Sequence, residues 1–220
     1  MAIISCNNLI KYYPTSEAPI INGVSLDIDE GSFVSITGRS GSGKSTLLKL
    51  LCGLLAPDGG SVECAGFDPG KLRGRELSRF RSTVIGIVFQ DNNLIGDFSV
   101  WDNIMTPLYI AGARPDKAYT DRLIDITGVG GLLKRMPASL SGGQRQKAAV
   151  ARALIAKPKV LFADEPTGNL DSQSELEVMR LFCEAGKEFG TTIVQVTHSG
   201  VCAGAGDRVV RIEDGRVGQI

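Results

Sequence analysis

The most specific chemical signal in the chain is a glycine-rich segment between two apolar runs. It reads Gly38-Arg39-Ser40-Gly41-Ser42-Gly43-Lys44-Ser45-Thr46, which has the G-x-x-x-x-G-K-[ST] spacing of a P-loop. Because glycine has no Cβ, such a loop can wrap its backbone N–H groups around the phosphates of a nucleotide. Lys44 would reach the β- and γ-phosphates, and the hydroxyl of Ser45 would hold Mg²⁺. The segment therefore predicts a nucleotide-binding site.

A pair of carboxylates gives the second signal. Asp164 and Glu165 follow the apolar run 160–163, which is typical of a buried strand. A strand that ends in carboxylates places them at the carboxyl edge of its sheet, where ligands of such sheets bind. Asp164 would hold Mg²⁺ through water, and Glu165 would polarise the attacking water. An acidic pair alone is usually just solvated, but a P-loop upstream favours the catalytic interpretation.

Apolar periodicity indicates the elements that must position these groups. The run 33–37 predicts the strand that leads into the P-loop, and the leucines from Leu47 onward predict the helix that follows it. Segments 8–13 and 20–28 favour antiparallel strands, whereas 91–156 favours helices joined by polar loops.

These patterns together predict an α/β fold. We expect a P-loop NTPase (RecA-like) core with an antiparallel β subdomain and an inserted α-helical subdomain. The whole chain, 1–220, would be a single nucleotide-binding domain, in which 1–90 and 157–220 form the core and 91–156 the helical subdomain. Within that subdomain Pro107 is expected to interrupt a pair of helices.

Composition restricts the classes of function. Lys and Arg together number 24, as do Asp and Glu, so the zero net charge speaks against a nucleic-acid partner. The five cysteines are scattered without a C-x-x-C pair, which favours reduced thiols in a cytosolic protein. Residues 1–7 lack the features of a signal peptide, and the leucine-rich segment 47–55 is far shorter than a bilayer span. We expect another chain to supply any membrane part.

The third signal is Leu140-Ser141-Gly142-Gly143-Gln144, followed by a segment with helical spacing. With this pentapeptide the chain resembles the nucleotide-binding subunits of ATP-binding-cassette (ABC) transporters, whose signature motif is Leu-Ser-Gly-Gly-Gln. The P-loop, the signature and the acidic pair occur in the chain order of that family, and the resemblance covers the whole chain. It implies that ATP and Mg²⁺ are the cofactors and that the chain is an ATPase.

The resemblance also implies roles for single residues. Tyr13 matches the aromatic residue that stacks on adenine, and the adjacent Tyr12 competes with it for that role. Gln90 matches the glutamine that senses the γ-phosphate and the metal and links them to the helical subdomain. The segment Asn169-Leu170-Asp171 matches the loop that crosses the dimer interface, and His198 matches the switch histidine that contacts the γ-phosphate.

The family mechanism implied by the resemblance needs two chains. Two subunits sandwich two ATP molecules, and each site joins one chain's P-loop to the signature of the other. The catalytic residues would be Lys44, Gln90, Glu165 and His198. The residues that hold the metal would be Ser45, Gln90 and Asp164. The signature residues that contact ATP would be Ser141, Gly142, Gly143 and Gln144. The expected partners are a second ATPase subunit, as a homodimer, and an integral membrane permease. The expected location is cytoplasmic, peripheral on the inner face of the membrane through that permease.

Finer features resemble the lipoprotein-release and macrolide-export branch of the family, whose members include LolD, MacB and FtsE. The segments that carry this likeness are 96–108, 137–139 and 163–171. Segment 91–93 departs from the branch, which commonly has an aromatic residue after the glutamine, and Ser199 stands where an acidic residue is usual. The alternative is an FtsE-like ATPase that regulates cell-wall hydrolases through a small membrane partner.

Overall fold

The computed structural model describes residues 1–14 and 16–218, and within them two sheets and seven α-helices. The strands are β1 Ala2–Lys11, β2 Ile21–Asp29, β3 Phe33–Thr37, β4 Gly59–Cys64, β5 Ile85–Phe89, β6 Val160–Asp164, β7 Thr192–Val196, β8 Arg208–Glu213 and β9 Arg216–Val217. The helices are α1 Lys44–Leu51, α2 Gly74–Arg79, α3 Val100–Ala111, α4 Lys117–Thr127, α5 Gly142–Leu154, α6 Ser172–Phe189 and α7 Gly200–Ala203. A π-helical turn, Phe80–Val84, continues α2, and short 3₁₀ turns are formed by Gly130–Leu132 and Pro137–Ser139.

The larger sheet carries the P-loop strand near its centre. Its order is β5-β6-β7-β3-β8-β9. The first five strands in this order are parallel, and β9 is antiparallel to β8. The P-loop follows β3, and the acidic pair follows β6, two strands away in the same direction. Parallel strands bring these carboxyl ends to one edge of the sheet, which is where open α/β sheets bind ligands.

Burial on both faces explains the apolar strands of this sheet. In β6, Val160 and Phe162 pack with α1 and the antiparallel sheet, which has the order β2-β1-β4. Leu161 and Ala163 face the opposite side, where the core is built from α3 to α6. Side chains alternate between the two faces of a strand, so a strand with a core on each side is mostly apolar along its whole length.

Strand β1 differs from its expected range. It begins at Ala2 rather than at residue 8, and it ends at Lys11, before Tyr12. Asn8 has a left-handed φ of 48°, and the pairing register with both neighbouring strands shifts around it. This bulge breaks the alternation of apolar side chains along the sequence, and for that reason the pattern did not predict the first half of the strand.

The region expected to be helical contains α3, α4 and α5 and no strand among its described residues. Pro107 does not divide a helix pair: it lies inside the single helix α3. Proline removes one backbone donor, but Ile104 and Leu108 on either side of it are buried in the core, and this packing keeps the helix continuous. The division into a core and a helical subdomain remains a prediction. Among the described residues, no helix is both long and apolar enough to span a membrane.

Candidate functional site

The P-loop backbone leaves no room for side chains at two of its glycines. A Cβ at Gly43, where φ is +99°, would lie 2.6 Å from the Ile20 carbonyl oxygen. A Cβ at Gly38 would lie 2.2 Å from the carbonyl oxygen of Ile212. Only glycine fits both positions, because the positive φ and the close backbone approach each exclude larger residues. The loop is therefore a cradle of bare backbone, as a phosphate site requires.

Two buried polar groups of the P-loop suit a phosphate chain. The Nζ of Lys44 donates hydrogen bonds to the carbonyl oxygens of Gly38 and Arg39 at 3.0 and 2.9 Å, and the residue is buried. The hydroxyl of Ser42 is buried and has no hydrogen-bond partner among the described residues. A buried hydroxyl without a partner is costly, and a buried ammonium bonded only to neutral carbonyl groups is poorly compensated, so anionic oxygens would satisfy both groups better. The loop therefore fits the nucleotide that the sequence predicts.

A serine–aspartate contact joins the P-loop helix to β6. The Oγ of Ser45, in the first turn of α1, donates a hydrogen bond to Oδ1 of Asp164 at 2.7 Å. Ser45 and Asp164 also line a cavity of about 300 Å³ together with Gln90 and Glu165. Hydroxyl, carboxylate and amide oxygens are the hard ligands that Mg²⁺ prefers. The donor set predicted for the metal is thus brought together, and its chemistry fits the ion.

Glu165 lies beside the chain's one histidine. Its backbone adopts a left-handed φ of 46°, and its N–H donates to the Val196 carbonyl oxygen at 3.0 Å. One of its carboxylate oxygens, Oε2, lies 3.1 Å from Nδ1 of His198. A left-handed glutamate is strained, and such strain is concentrated at functional sites. These two contacts join Glu165 to the last residue of β7, the strand next to the P-loop strand, and to His198, which follows that strand.

Gln90 contacts the loop that follows the acidic pair. Its Nε2 donates to Oδ1 of Asn169 at 3.2 Å, and Nδ2 of Asn169 donates in turn to Oδ1 of Asp91 at 3.3 Å. Asn169 therefore bridges two neighbouring residues at the end of β5. The resemblance placed Asn169 in the loop that crosses the dimer interface, and its position in the sequence gave no signal of this bridge to Gln90 and Asp91.

Tyr12 and Tyr13 are the two candidates for stacking on adenine, and Tyr13 is the one that lies at the P-loop. Its hydroxyl is 3.3 Å from Oγ1 of Thr46, and it lines a cavity of about 260 Å³ with Ser40, Gly41, Gly43, Lys44, Ser45 and Glu165. Tyr12 is absent from that lining, and its backbone N–H donates to the carboxylate of Asp58. The geometry favours Tyr13.

The signature residues form the start of α5. Ser141 is the N-cap: its hydroxyl accepts from the Gln144 N–H, and the Gln144 side chain accepts from the Ser141 N–H, which completes a capping box. A Cβ at Gly143 would lie 2.9 Å from Oγ of Ser174 on α6, so this turn packs closely on its neighbour. The linings of the two P-loop cavities do not include Ser141, Gly142, Gly143 or Gln144. The capping box leaves Gln144 engaged within its own helix.

Asp171 caps the next helix. Its carboxylate accepts from the backbone N–H groups of Gln173 and Ser174 and from the Ser174 hydroxyl at the start of α6. These bonds, above all those from Ser174, lower the pKa of the Asp171 carboxyl below its ordinary value. The predicted interface aspartate is thus held in place by its own helix.

A polar cluster behind His198 has no counterpart in the sequence analysis. Oε1 of Glu175 accepts a hydrogen bond from the Cys202 thiol at 2.9 Å, and the Thr167 hydroxyl lies 3.3 Å from the same sulfur. Hydrogen bonding from Cys202 and Ser199 lowers the pKa of Glu175, whereas burial raises that of Cys202. The cluster joins α6 to α7, the helix that follows His198. A lone glutamate and a scattered cysteine gave no pattern from which to predict it.

Comparisons with known proteins agree with this geometry. The family model for the ABC transporter family matches residues 21–168. Relatives include the macrolide export ATP-binding/permease protein MacB of Rhodopirellula baltica, 44% identical over 207 residues, and the lipoprotein-releasing system ATP-binding protein LolD 1 of Chlorobium luteolum, 42% identical over 206 residues. The matches cover 92% and 90% of this chain, but 30% of MacB and 88% of LolD 1. The chain therefore spans less than a third of the MacB relative and most of the LolD relative.

Solved structures give the same result for the fold. The dimeric post-hydrolysis state of the ATP-binding cassette MJ0796 bound to ADP and Pi superposes with a TM-score of 0.87 at 35% identity, over 98% of this chain and 97% of that one. The protein cbiO1 of Clostridium perfringens, part of the ABC transporter complex cbiONQ, gives a TM-score of 0.86 at 29% identity, over 99% and 87% of the two chains. The P-loop, the acidic pair, the signature helix and these matches together show that the chain belongs to the ABC transporter family, with the fold of its ATP-binding cassettes.

Proposed function

We propose that the chain is an ATP-binding and ATP-hydrolysing subunit that dimerises around two ATP molecules and drives a membrane partner. The observation that carries the proposal is the convergence of five predicted groups at one edge of the sheet. Ser45 bonds Asp164 at 2.7 Å, Glu165 contacts His198 at 3.1 Å, and Gln90 lines the same cavity as three of them.

Each of these residues is proposed to have its own role in ATP hydrolysis. The P-loop amides and Lys44 would bind the phosphates, and Ser45, Asp164 and Gln90 would hold Mg²⁺. The bound ion would neutralise charge on the phosphate oxygens. Glu165 would accept a proton from the attacking water, and His198 would orient that carboxylate through the contact at Nδ1. Tyr13 would pack against the base.

The signature residues are proposed to act in the second chain of a homodimer. Because Ser141 begins a helix of 13 residues, the N–H groups of its first turn that the capping box does not use can face an anion. The P-loop of the same chain does not use them, since neither of its cavities includes a signature residue. ATP held between the P-loop of one chain and Ser141 of the other would join the two subunits.

A membrane permease is the proposed partner. The LolD relative is named as part of a lipoprotein-releasing system, and the MacB relative as a macrolide export ATP-binding/permease protein. We place this chain in the cytoplasm, on the inner face of the membrane, through such a permease. No observation favours the FtsE-like alternative. Co-purification from the native membrane in a mild detergent tests the partner: a permease should accompany the chain, and purification without any membrane protein would contradict this part of the proposal.

Hydrolysis is tested directly by phosphate release from the purified chain with ATP and Mg²⁺. Glu165→Gln should lower kcat by roughly a hundredfold or more, because the amide cannot accept the proton from water. ATP binding should persist, and chelation of Mg²⁺ by EDTA should stop turnover in the unmodified chain.

A matched control is Glu184→Gln, which makes the same change at an exposed position of α6. It should leave kcat unchanged. Near-normal hydrolysis by Glu165→Gln would exclude Glu165 as the general base, and an inactive unmodified chain would contradict the proposed activity itself.

A further inference from the structure

A half-buried arginine of the signature helix binds the segment that carries Gln90. Arg152 lies in the last turns of α5, where its Nη1 donates to the carbonyl oxygen of Asn93 and its Nη2 to that of Asn92, each at 2.6 Å. The two bonds form a fork from one planar guanidinium to two consecutive carbonyl groups. Such a two-pronged contact fixes orientation as well as distance.

The backbone that receives this fork is strained. Asn92 and Asn93 have left-handed φ values of 62° and 49°, which non-glycine residues rarely adopt one after the other. The N–H of Asn92 donates to the Phe89 carbonyl oxygen, and the N–H of Asn93 to that of Asp91. This tight turn directs neighbouring carbonyl oxygens toward the same cation. The two carbonyl dipoles point the same way and repel each other, and the positive charge of Arg152 offsets this repulsion.

Segment 90–93 is thus held from two sides. Asn169 bridges the side chains of Gln90 and Asp91 at 3.2 and 3.3 Å, while Arg152 binds the carbonyl groups of the next two residues. Asn169 belongs to the loop after the acidic pair, and Arg152 to the helix that Ser141 begins. A displacement of Gln90 must move this segment relative to one of these two attachments.

We propose that Arg152 is a positioning residue, which fixes Gln90 relative to the signature helix through the backbone of Asn92 and Asn93. The inference rests on the proposed function, because it assigns Gln90 to the hydrolytic site. Partial burial lowers the pKa of the guanidinium, and the two bonds to consecutive carbonyl groups hold its plane in one orientation.

The test is a double-mutant cycle on ATP hydrolysis by the full chain. Arg152→Lys keeps the positive charge and most of the stem but replaces the fork with a single ammonium. It should lower kcat about tenfold and change KM for ATP by less than about twofold. In a Gln90→Ala background the same substitution should cause no further loss, because Arg152 acts through Gln90.

A second variant perturbs the other end of the contact. Asn93→Ala keeps the carbonyl group at an exposed position but disfavours its left-handed φ, so it should lower kcat in the same way without threatening the core. Arg122→Lys is the matched control, since Arg122 bonds Glu188 at the surface, and it should leave kcat unchanged.

Thermal unfolding of each variant shows whether a lower kcat results from a less stable fold or from a displaced Gln90. Losses of kcat by Arg152→Lys and Gln90→Ala that multiply in the double variant would overturn the proposal, as would unchanged kcat in both Arg152→Lys and Asn93→Ala. An unmodified chain without ATPase activity would instead contradict the proposed function, and the two failures are therefore distinguishable.

Discussion

Lys44 is buried, and its hydrogen-bond partners among the described residues are two uncharged carbonyl oxygens of its own loop. Carbonyl dipoles satisfy a buried cation less well than phosphate oxygens do, so nucleotide binding would improve its electrostatic environment. The residue is therefore prepared for an anion by the backbone that surrounds it. This arrangement makes the affinity for nucleotide depend strongly on a single side chain.

We expect Lys44→Ala to weaken ATP binding by roughly tenfold or more, because a charge-assisted hydrogen bond to phosphate is lost. Isothermal titration with ATP measures the change. Lys49→Ala, on the same helix, makes an identical change of charge outside the P-loop and should retain the affinity. Equal affinities for the unmodified chain and Lys44→Ala would show that Lys44 does not contact the phosphates.

Sequence reasoning at the residue scale identified single groups better than pairs. A carboxylate at the end of an apolar run and a lysine after a glycine loop are local patterns, so Asp164 and Lys44 were predictable. The contact between Glu165 and His198 joins residues 33 positions apart, and the fork of Arg152 joins residues about 60 apart. Such pairs depend on strand order and helix placement, which one sequence does not determine.

Among the elements, strand β5 and helix α5 approach closely, and this contact supports both Gln90 and the signature. Gly86 is buried in β5, and a Cβ there would lie 2.3 Å from the carbonyl oxygen of Ala153. Backbone at that distance cannot give way as a flexible side chain could. The glycine therefore sets the spacing between the strand that ends before Gln90 and the helix that begins after Ser141.

Gly86→Ala should lower the free energy of unfolding by about 1–3 kcal/mol, because the added methyl group forces β5 and α5 apart. Urea unfolding followed by circular dichroism gives the value. Gly96→Ala is the matched control: no atom lies within 4 Å of its Cβ position, so a change near zero is expected. A stability equal to that of the unmodified chain would contradict the close packing at Gly86.

The elements that could be predicted were those with uniform environments. Strands β3, β5, β6 and β7 are buried on both faces, so their apolar runs are unambiguous. The start of β1 was missed because the bulge at Asn8 breaks its alternation. The prediction that Pro107 interrupts a helix pair was wrong, because packing of the residues around it outweighs one missing hydrogen bond.

At the scale of the whole molecule, the functional groups form two separate sets. One set surrounds the P-loop, with Asp164, Glu165 and His198 beside it. The other begins α5, where Ser141 and Gln144 form a capping box outside both P-loop cavities. A helix N-terminus with free N–H groups and a phosphate cradle are complementary surfaces. In a dimer of two copies, the signature of each copy would complete the nucleotide site at the other copy's P-loop.

Light scattering of Glu165→Gln with and without ATP and Mg²⁺ tests this account most directly, since blocked hydrolysis should trap the ATP-bound state. We expect the 23.4 kDa chain to double in mass when ATP is added. Ser141→Arg, added to Glu165→Gln, should prevent the dimer by obstructing the signature, whereas Ser61→Arg, on the exposed face of β4, should not. A chain that binds ATP but stays monomeric, or a dimer that forms equally well without ATP, would contradict the central claim.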